Sequence, residues 1–454
     1  MSRERLLIIG GVAAGMSAAS RARKINPRLE ILVLEKGDYV SYGTCGLPYY
    51  VGNQVRRPEE LVVYTPEFFR RERNIDVRTG HEAVEIVPGQ KRVRALRKGS
   101  QETVFQYDKL IVATGGAPAT EIYGSDAANV FTCNDLAGAV ALKEFMEKHR
   151  PRRAVIVGGG YIGLEVAEAF VANGMAVTVL ERSGSALENL EPELSRKLEM
   201  RLEDTGVRLI KDAAVRAIAG SGGPPRMATV VEYGTSGSLD CDLVLLATGI
   251  VPRTELAREA GIRLGQTGAI AVDERMATNL PGIYAAGDCV ETPHLVLGRP
   301  VYVPLGTTAN KQGRVAGENA AGGNARFGGI VGTAVTKVFG LEIARTGLTA
   351  AEARAAGFLC DSVVLEHTSR ARYFEGKRIL LKMVFDRNSE RLLGVQMLGE
   401  EGAGKRIDVA ATALHAGMKI GQVAQLDLSY APPVAPVWEA LLIAANEALK
   451  KMRR

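Results

Sequence analysis

The chain has 454 residues, 46% of them apolar and 24% charged, which predicts an ordinary globular protein of two or three domains and excludes a disordered or fibrous one. Its formal charge of +6 rests on short scattered groups such as Arg21, Arg23 and Lys24, or Arg70, Arg71 and Arg73, without an aromatic stacking platform between them; this speaks against nucleic acid and for solvated helix faces that also attract small phosphate-bearing anions. Five spread cysteines without a C-x-x-C motif, no apolar run of membrane-spanning length and no signal-peptide layout exclude a disulfide scaffold, a zinc site and a spanning helix, and predict a reducing cytoplasm.

Residues 6–9, all apolar, read as a buried strand. The glycine turn from Gly10 through Gly11, Val12, Ala13 and Ala14 to Gly15 follows, then a helix over 16–25, then a second buried strand over 31–34 that ends in Glu35. This order predicts a βαβ dinucleotide fold. Gly10 and Gly15 let the backbone approach a pyrophosphate at a helix N-terminus, and Glu35, 20 residues beyond Gly15, can accept from a ribose hydroxyl. The middle glycine of G-x-G-x-x-G is replaced by Val12.

The next stretch is Ser41-Tyr42-Gly43-Thr44-Cys45-Gly46-Leu47-Pro48-Tyr49-Tyr50. Gly43 and Gly46 permit a tight turn, and Pro48 suits the first turn of a new helix. A thiol at a helix start is expected to be drawn toward the thiolate by the peptide dipoles. A lone cysteine is ordinarily a small buried hydrophobe; its company here makes Cys45 the candidate redox nucleophile, with no adjacent cysteine to resolve it.

A strand over 110–112 leads to Ala113, Thr114 and Gly115. The whole pattern then recurs: an apolar strand over 154–157, the turn Gly158-Gly159-Gly160-Tyr161-Ile162-Gly163 with all three glycines, a helix over 164–173, a strand over 177–180 ending in Glu181, and a second Ala-Thr-Gly at Gly249. Internal repetition predicts two nested dinucleotide domains of one design. Residues 186–218 read as helix then strand, and 221–225 as a turn. A strand over 283–285 delivers Gly287 and Asp288 to a sheet edge, and Pro304 and Leu305 precede a helix pattern over 309–321. After about 330 the texture changes to alternating strands followed by helices, an α+β domain in which Tyr373 and Tyr430 stand out, although a packing role is the ordinary reading of such tyrosines.

With these residues in place the chain resembles, over its whole length, the flavoprotein disulfide reductases with two dinucleotide-binding domains. Most members carry C-x4-C; here the position five beyond Cys45 is Tyr50, so the chain is similar to the single-cysteine branch of coenzyme A-disulfide reductases, NADH oxidases and NADH peroxidases. The resemblance implies an α/β protein with a discontinuous FAD domain (1–118 and 250–328), an NAD(P)H domain (119–249) and a C-terminal α+β dimerisation domain (329–454). It implies FAD along Gly10 to Gly15, with Glu35 on its AMP ribose and Asp288 near its ribityl chain, and further flavin-site positions at Lys36, Ser41, Thr44, Val84, Ala113, Thr114, Gly115, Gly287, Pro304 and Leu305. It implies NADH, with NADPH as the alternative, along Gly158, Gly160, Ile162 and Gly163, with Tyr161 as a lid, Glu181 favouring NADH, and Gly249 nearby.

Ala13 stands where the peroxidases of this branch carry a histidine, and the Cys45 segment with Tyr373 and Tyr430 matches the coenzyme A-disulfide reductases. In those the two tyrosines come from the partner subunit, which implies a homodimer. Ser17, Arg21, Lys24 and Asn310 occupy positions near coenzyme A, although an exposed polar helix face is an equal reading for them. Thr44, Glu375 and Asn310 depart from the commoner Asn, Pro and His. The expected reaction is reduction of a coenzyme A disulfide through Cys45; the alternatives are an NADH oxidase, a polysulfide or persulfide reductase on the same cysteine, and a non-catalytic flavoprotein binding module.

Overall fold

The computed structural model describes residues 4–221 and 226–453. The turn expected over 221–225 falls, apart from the backbone of residue 221, outside the described residues. Helices are α1 (Ala13–Ile25), α2 (Leu47–Val51), α3 (Pro66–Arg73), α4 (Leu136–His149), α5 (Tyr161–Ala172), α6 (Pro192–Asp204), α7 (Glu255–Glu259), α8 (Gly306–Ala320), α9 (Ala350–Ala355), α10 (Ala403–His415), α11 (Ile420–Val423) and α12 (Ala440–Met452).

Two parallel five-stranded sheets share one plan. The first runs Ile283–Ala285, Lys109–Val112, Arg5–Ile9, Glu30–Leu34, Asp76–Arg78, and the second Val130–Phe131, Leu243–Leu246, Arg153–Val157, Ala176–Leu180, Arg208–Ile210. The central strands are apolar and buried on both faces, one face packing on helices and the other on an antiparallel accessory: Leu6 and Ile8 share a core with Ala18 of α1 and Ala316 of α8, and Leu7 and Ile9 with Val93 and Phe105. Each sheet also carries the same accessory, a three-stranded antiparallel meander before the returning strand: His81–Val87, Arg92–Arg97, Gln101–Gln106 in one, and Val215–Ser221, Met227–Tyr233, Gly237–Asp240 in the other. A two-stranded ribbon, Gly116–Pro118 against Ile250–Pro252, carries the chain from the first unit to the second and back.

Helices α1 and α5 begin three residues earlier than the apolar pattern suggested, since Gly15 and Gly163 lie within their first turns. Helix α8 crosses α1 at backbone contact: β-carbons on Gly313 and Gly317 would lie 2.2 and 2.1 Å from the carbonyl oxygens of Ala14 and Ala18. The C-terminal unit is an antiparallel sheet in the order Ala334–Val338, Leu341–Gly347, Leu392–Gly399, Arg378–Asp386, Cys360–Thr368. Its central strands alternate faces. Leu381, Met383, Val395 and Met397 pack on α10 and α12, whereas Leu380 and Leu398 join the core of the second unit.

Candidate active site

The two glycine turns are built alike. Gly10 and Gly158 have φ of +106° and +110°, and β-carbons there would lie 2.1 Å from the Ala113 carbonyl oxygen and 2.3 Å from that of Ala247. A β-carbon on Gly15 would lie 1.8 Å from Gly10 O, and one on Gly163 2.1 Å from Gly158 O. The chain itself therefore demands these four glycines. Gly160 is different: no protein atom lies within 4 Å of an added β-carbon. Its glycine serves only something that approaches the turn from outside, as a pyrophosphate does. Val12 fills the corresponding position in the first turn.

Each acid is tied to its own turn. Glu35 accepts from the amides of Gly11 (2.7 Å) and Gly37 (2.8 Å), and Glu181 from those of Gly159 (2.7 Å) and Ser183 (2.8 Å). Each carboxylate oxygen retains a lone pair for a ribose hydroxyl.

A cavity of about 510 Å³ runs along the first turn, lined by Gly10, Val12, Ala13, Ala14, Glu35, Lys36, Thr44, Val84, Ala113, Thr114, Gly115, Gly287 and Asp288. It is lined from the Glu35 acid past the turn to the Asp288 carboxyl, whose pKa burial raises, the acid-turn-acid order that a dinucleotide site uses. Gly11 and Ser41 act from behind the lining, through Gly11 N on Glu35 and Ser41 N on Gly11 O at 2.9 Å. Pro304 and Leu305 lead into α8, whose Gly306 and Ala309 line the far end. Asn134, Asp135, Leu136 and Ala137, at the start of α4 in the second unit, close one side.

A second cavity, about 730 Å³, follows the second turn and is lined by Gly158, Gly160, Tyr161, Glu181, Arg182, Asn189, Gly249 and, from the C-terminal unit, Thr349 and Glu352. Burial raises the Tyr161 pKa, so the phenol is neutral where it covers the cavity. Ile162 packs into the core behind it.

Cys45 sits in the single 3-10 turn Thr44–Gly46 that opens onto α2. It is exposed, whereas Cys133, Cys241 and Cys289 are buried and Cys360 is partly buried; all five are free thiols. The expectation of a depressed pKa is overturned. Crowding around the sulfur, and then the negative charges of Glu165 and Asp288, push the Cys45 thiol up, and the local backbone hydrogen bond opposes them only in part. Helix α2 has five residues, too short a dipole to prevail. Glu165, on α5, accepts a 2.5 Å hydrogen bond from Thr336 of the C-terminal sheet, and burial raises its own pKa. The sequence offered no sign of either partner.

Tyr373 and Tyr430 lie on the C-terminal unit, 74% and 49% exposed, and line neither cavity. Their segments are joined by a 3.2 Å bond from Ala371 N to Pro432 O. Phe374, Val434, Val437 and Trp438, also exposed, are drawn from the same two segments. On α1, Ser17 donates to Asn310 at 2.6 Å, Arg21 pairs with Glu318 at 2.5 Å, and Lys24 is exposed.

Arg73, expected on a solvated face, is instead packed. Its guanidinium lies 4.8 Å from the Tyr64 ring centroid and 5.2 Å from those of Phe68 and Phe69, and donates to Ser20 of α1 at 2.6 Å. Tyr64, Phe68 and Phe69 stand close enough before Arg73 in the chain to have suggested this stack.

Residues 4–313 match the model of the family described as pyridine nucleotide-disulphide oxidoreductase, and residues 333–441 that of its dimerisation domain. The chain is 41% identical over 455 aligned residues, 98% of each chain, to a protein of Pyrococcus abyssi named NAD(P)H sulfur oxidoreductase (CoA-dependent). It is 28% identical over 94% of its length, and 96% of the other, to a coenzyme A disulfide reductase of Staphylococcus haemolyticus. Among solved structures, a NAD-dependent persulfide reductase from A. fulgidus superposes with a TM-score of 0.95 at 40% identity, over 99% of this chain and 84% of that one.

Proposed function

Because the chain belongs to the pyridine nucleotide-disulphide oxidoreductase family, we propose that it is an NAD(P)H-dependent flavoprotein that reduces a disulfide of coenzyme A through Cys45. The observation that carries this is the exposed single thiol directly after Thr44, a residue that lines the first cavity. FAD would be held along Gly10 to Gly15 by Glu35 and Asp288, and NADH along Gly158 to Gly163 by Glu181. When bound, FAD accepts a hydride from reduced nicotinamide and supplies two electrons to a neighbouring sulfur.

The chain's own residues do the rest. Cys45 as thiolate attacks one sulfur of the substrate disulfide; the Cys45–sulfur bond forms as the substrate bond breaks, and the departing thiolate takes a proton from Tyr430, with Tyr373 beside it. The resulting mixed disulfide accepts two electrons, and with one proton releases the second thiol and restores the Cys45 thiolate. Crowding around the sulfur, and then Glu165 and Asp288, disfavour the thiolate over the thiol in the reduced form of Cys45.

Tyr373 and Tyr430 would reach Cys45 from a second copy in a homodimer. Their exposure on an apolar surface, together with the matched dimerisation domain, supports that arrangement. Ser17, Arg21, Lys24 and Asn310 would face the coenzyme, and Arg73 with Tyr64 beside α1 offers charge and a stacking face for a phosphate-bearing adenine nucleotide. The domains divide at the ribbon and after α8, as 1–118 with 250–328, 119–249 and 329–454. Five free thiols accord with a reducing cytoplasm, and no helix among the described residues is long and apolar enough to cross a membrane.

A second reading, reduction of a coenzyme A persulfide or polysulfide on the same cysteine, draws support from the 41% identity to the sulfur oxidoreductase. Ala13, at the position in the first turn where the peroxidases of this branch carry a histidine, puts no imidazole at that point of the first cavity to support a peroxidase cycle. NADH consumption with coenzyme A disulfide, polysulfide and oxygen in parallel, for wild type and Cys45→Ser, tests all three. Disulfide reduction that survives in Cys45→Ser defeats the proposal.

A further inference from the structure

The apolar stripe of α4 runs Leu136, Ala139, Leu142, Met146, and Lys143 lies on it, buried at 6% exposure. Its ammonium has no carboxylate in ion-pair contact among the described residues. Instead Nζ donates to the carbonyl oxygens of Tyr50 (3.1 Å) and Arg56 (3.3 Å) and stands 4.1 Å from the centroid of the Tyr50 ring. Burial lowers the Lys143 pKa against the more distant charges of Glu147 and Glu60; an ammonium buried without a direct ion pair is costly, and a methionine would fill the same length of stripe at no such cost.

What the cation holds is the far end of the helix that Cys45 opens. Tyr50 is the penultimate residue of α2, and Arg56 lies in the loop 52–57 that follows it. The Tyr50 carbonyl, which also accepts from Asn53 N at 3.2 Å, and the Arg56 carbonyl are gathered onto one positive charge, so the end of α2 and the loop after it are tied to α4. The front of the segment is fixed separately, by Gly43 N on Leu61 O at 2.9 Å and by Gly46, where a β-carbon would lie 2.4 Å from the Leu61 side chain. Meanwhile the first turn of α4 walls the first cavity through Asp135, Leu136 and Ala137. One rigid helix thus sets both a wall of that cavity and the seat of the sulfur segment.

We propose that Lys143 is a positioning residue for Cys45. It acts through α2, touches no reacting atom, and keeps the sulfur in register with the cavity. The proposal rests on Cys45 being the reacting sulfur, which Cys45→Ser tests by itself. The Lys143 comparison is read on the rate at which Cys45 is alkylated by iodoacetamide in the flavin-loaded wild type and variants, followed by peptide mass, and so is independent of turnover.

Lys143→Met frees the helix end. Cys45 alkylation is expected to quicken about fivefold while kcat/KM for the disulfide falls about tenfold, the scale of a sub-ångström to ångström misplacement of a reacting group. Flavin reduction by NADH in rapid mixing stays within about twofold and KM for NADH is unchanged, because the second cavity is untouched. Lys143→Arg, which keeps the charge and donors, restores the wild-type alkylation rate. Alkylation and disulfide kcat/KM in folded Lys143→Met that match wild type overturn the proposal. If Lys143→Met does not fold, Lys143→Gln takes its place under the same criteria, and failure of both neutral variants to fold assigns Lys143 to stability alone and equally overturns it.

Discussion

The α-carbon of Gly15 faces the carbonyl of Gly10 so closely that a β-carbon would stand 1.8 Å from its oxygen. The same approach recurs between Gly163 and Gly158 at 2.1 Å. Gly15→Ala must therefore move backbone, a cost of about 1–3 kcal/mol or more, and is expected to yield protein with little bound flavin, measured as the ratio of flavin to protein absorbance. Gly160→Ala meets no protein atom within 4 Å. It should leave the thermal midpoint and flavin content unchanged and weaken NADH alone; an unaltered KM for NADH would show that nothing approaches that turn.

Glu181 holds the second turn through Gly159 and Ser183 and keeps a lone pair on each oxygen for a ribose diol. A 2′-phosphate would meet its negative charge. The wild type is expected to favour NADH over NADPH in kcat/KM, and Glu181→Gln to narrow the ratio about tenfold, the worth of one hydrogen bond to a charged group. Arg182, beside it on the cavity wall, would hold whatever NADPH activity remains. A wild-type preference for NADPH removes Glu181 from this role.

The raised Cys45 pKa has a definite sign. Below it the sulfur is a thiol, so alkylation of Cys45 should climb about tenfold per pH unit through neutrality and level off only above the ordinary thiol value of about 8.5. Removing one of the charges responsible, in Glu165→Gln, should shift the profile to lower pH. A plateau already reached near pH 6 in the wild type would contradict the account.

Lys382, on the face of the C-terminal sheet that meets the second unit, pairs with Glu191 at 2.8 Å and Glu193 at 2.9 Å; Glu191 is 4% exposed. Burial lowers the lysine's pKa, but the two carboxylates outweigh it and the net shift is upward. The pair's stabilisation is therefore present in full below the usual lysine range and lost as pH climbs through the raised value. Lys382→Met leaves Glu191 charged and buried, costing about 3–5 kcal/mol. Calorimetry at pH 7 should show a lowered unfolding transition for the interface between these units, and an unchanged thermogram would count against a buried pair.

Both glycine turns, both acids and the repeated order of elements are legible in the residues alone, because each depends on contacts a few positions apart or on backbone sterics that only glycine tolerates. Pro48 in the first turn of α2 and the change of texture near 330 are legible for the same reason. What surrounds Cys45 is not. The sulfur segment belongs by chain order to the first unit, yet Leu47, Tyr50 and Val51 pack into one core with Leu136, Ala139 and Leu164 of the second; Lys143 meets it from 93 residues away, and Glu165, itself held by Thr336 of the C-terminal sheet, acts on the sulfur by its charge. A helix dipole can be inferred locally and pointed to a depressed thiol; charge and burial are sums over the whole fold, and they reversed it. The division of the C-terminal strands between two cores was decided at the same level, by which faces the packed units turn toward one another.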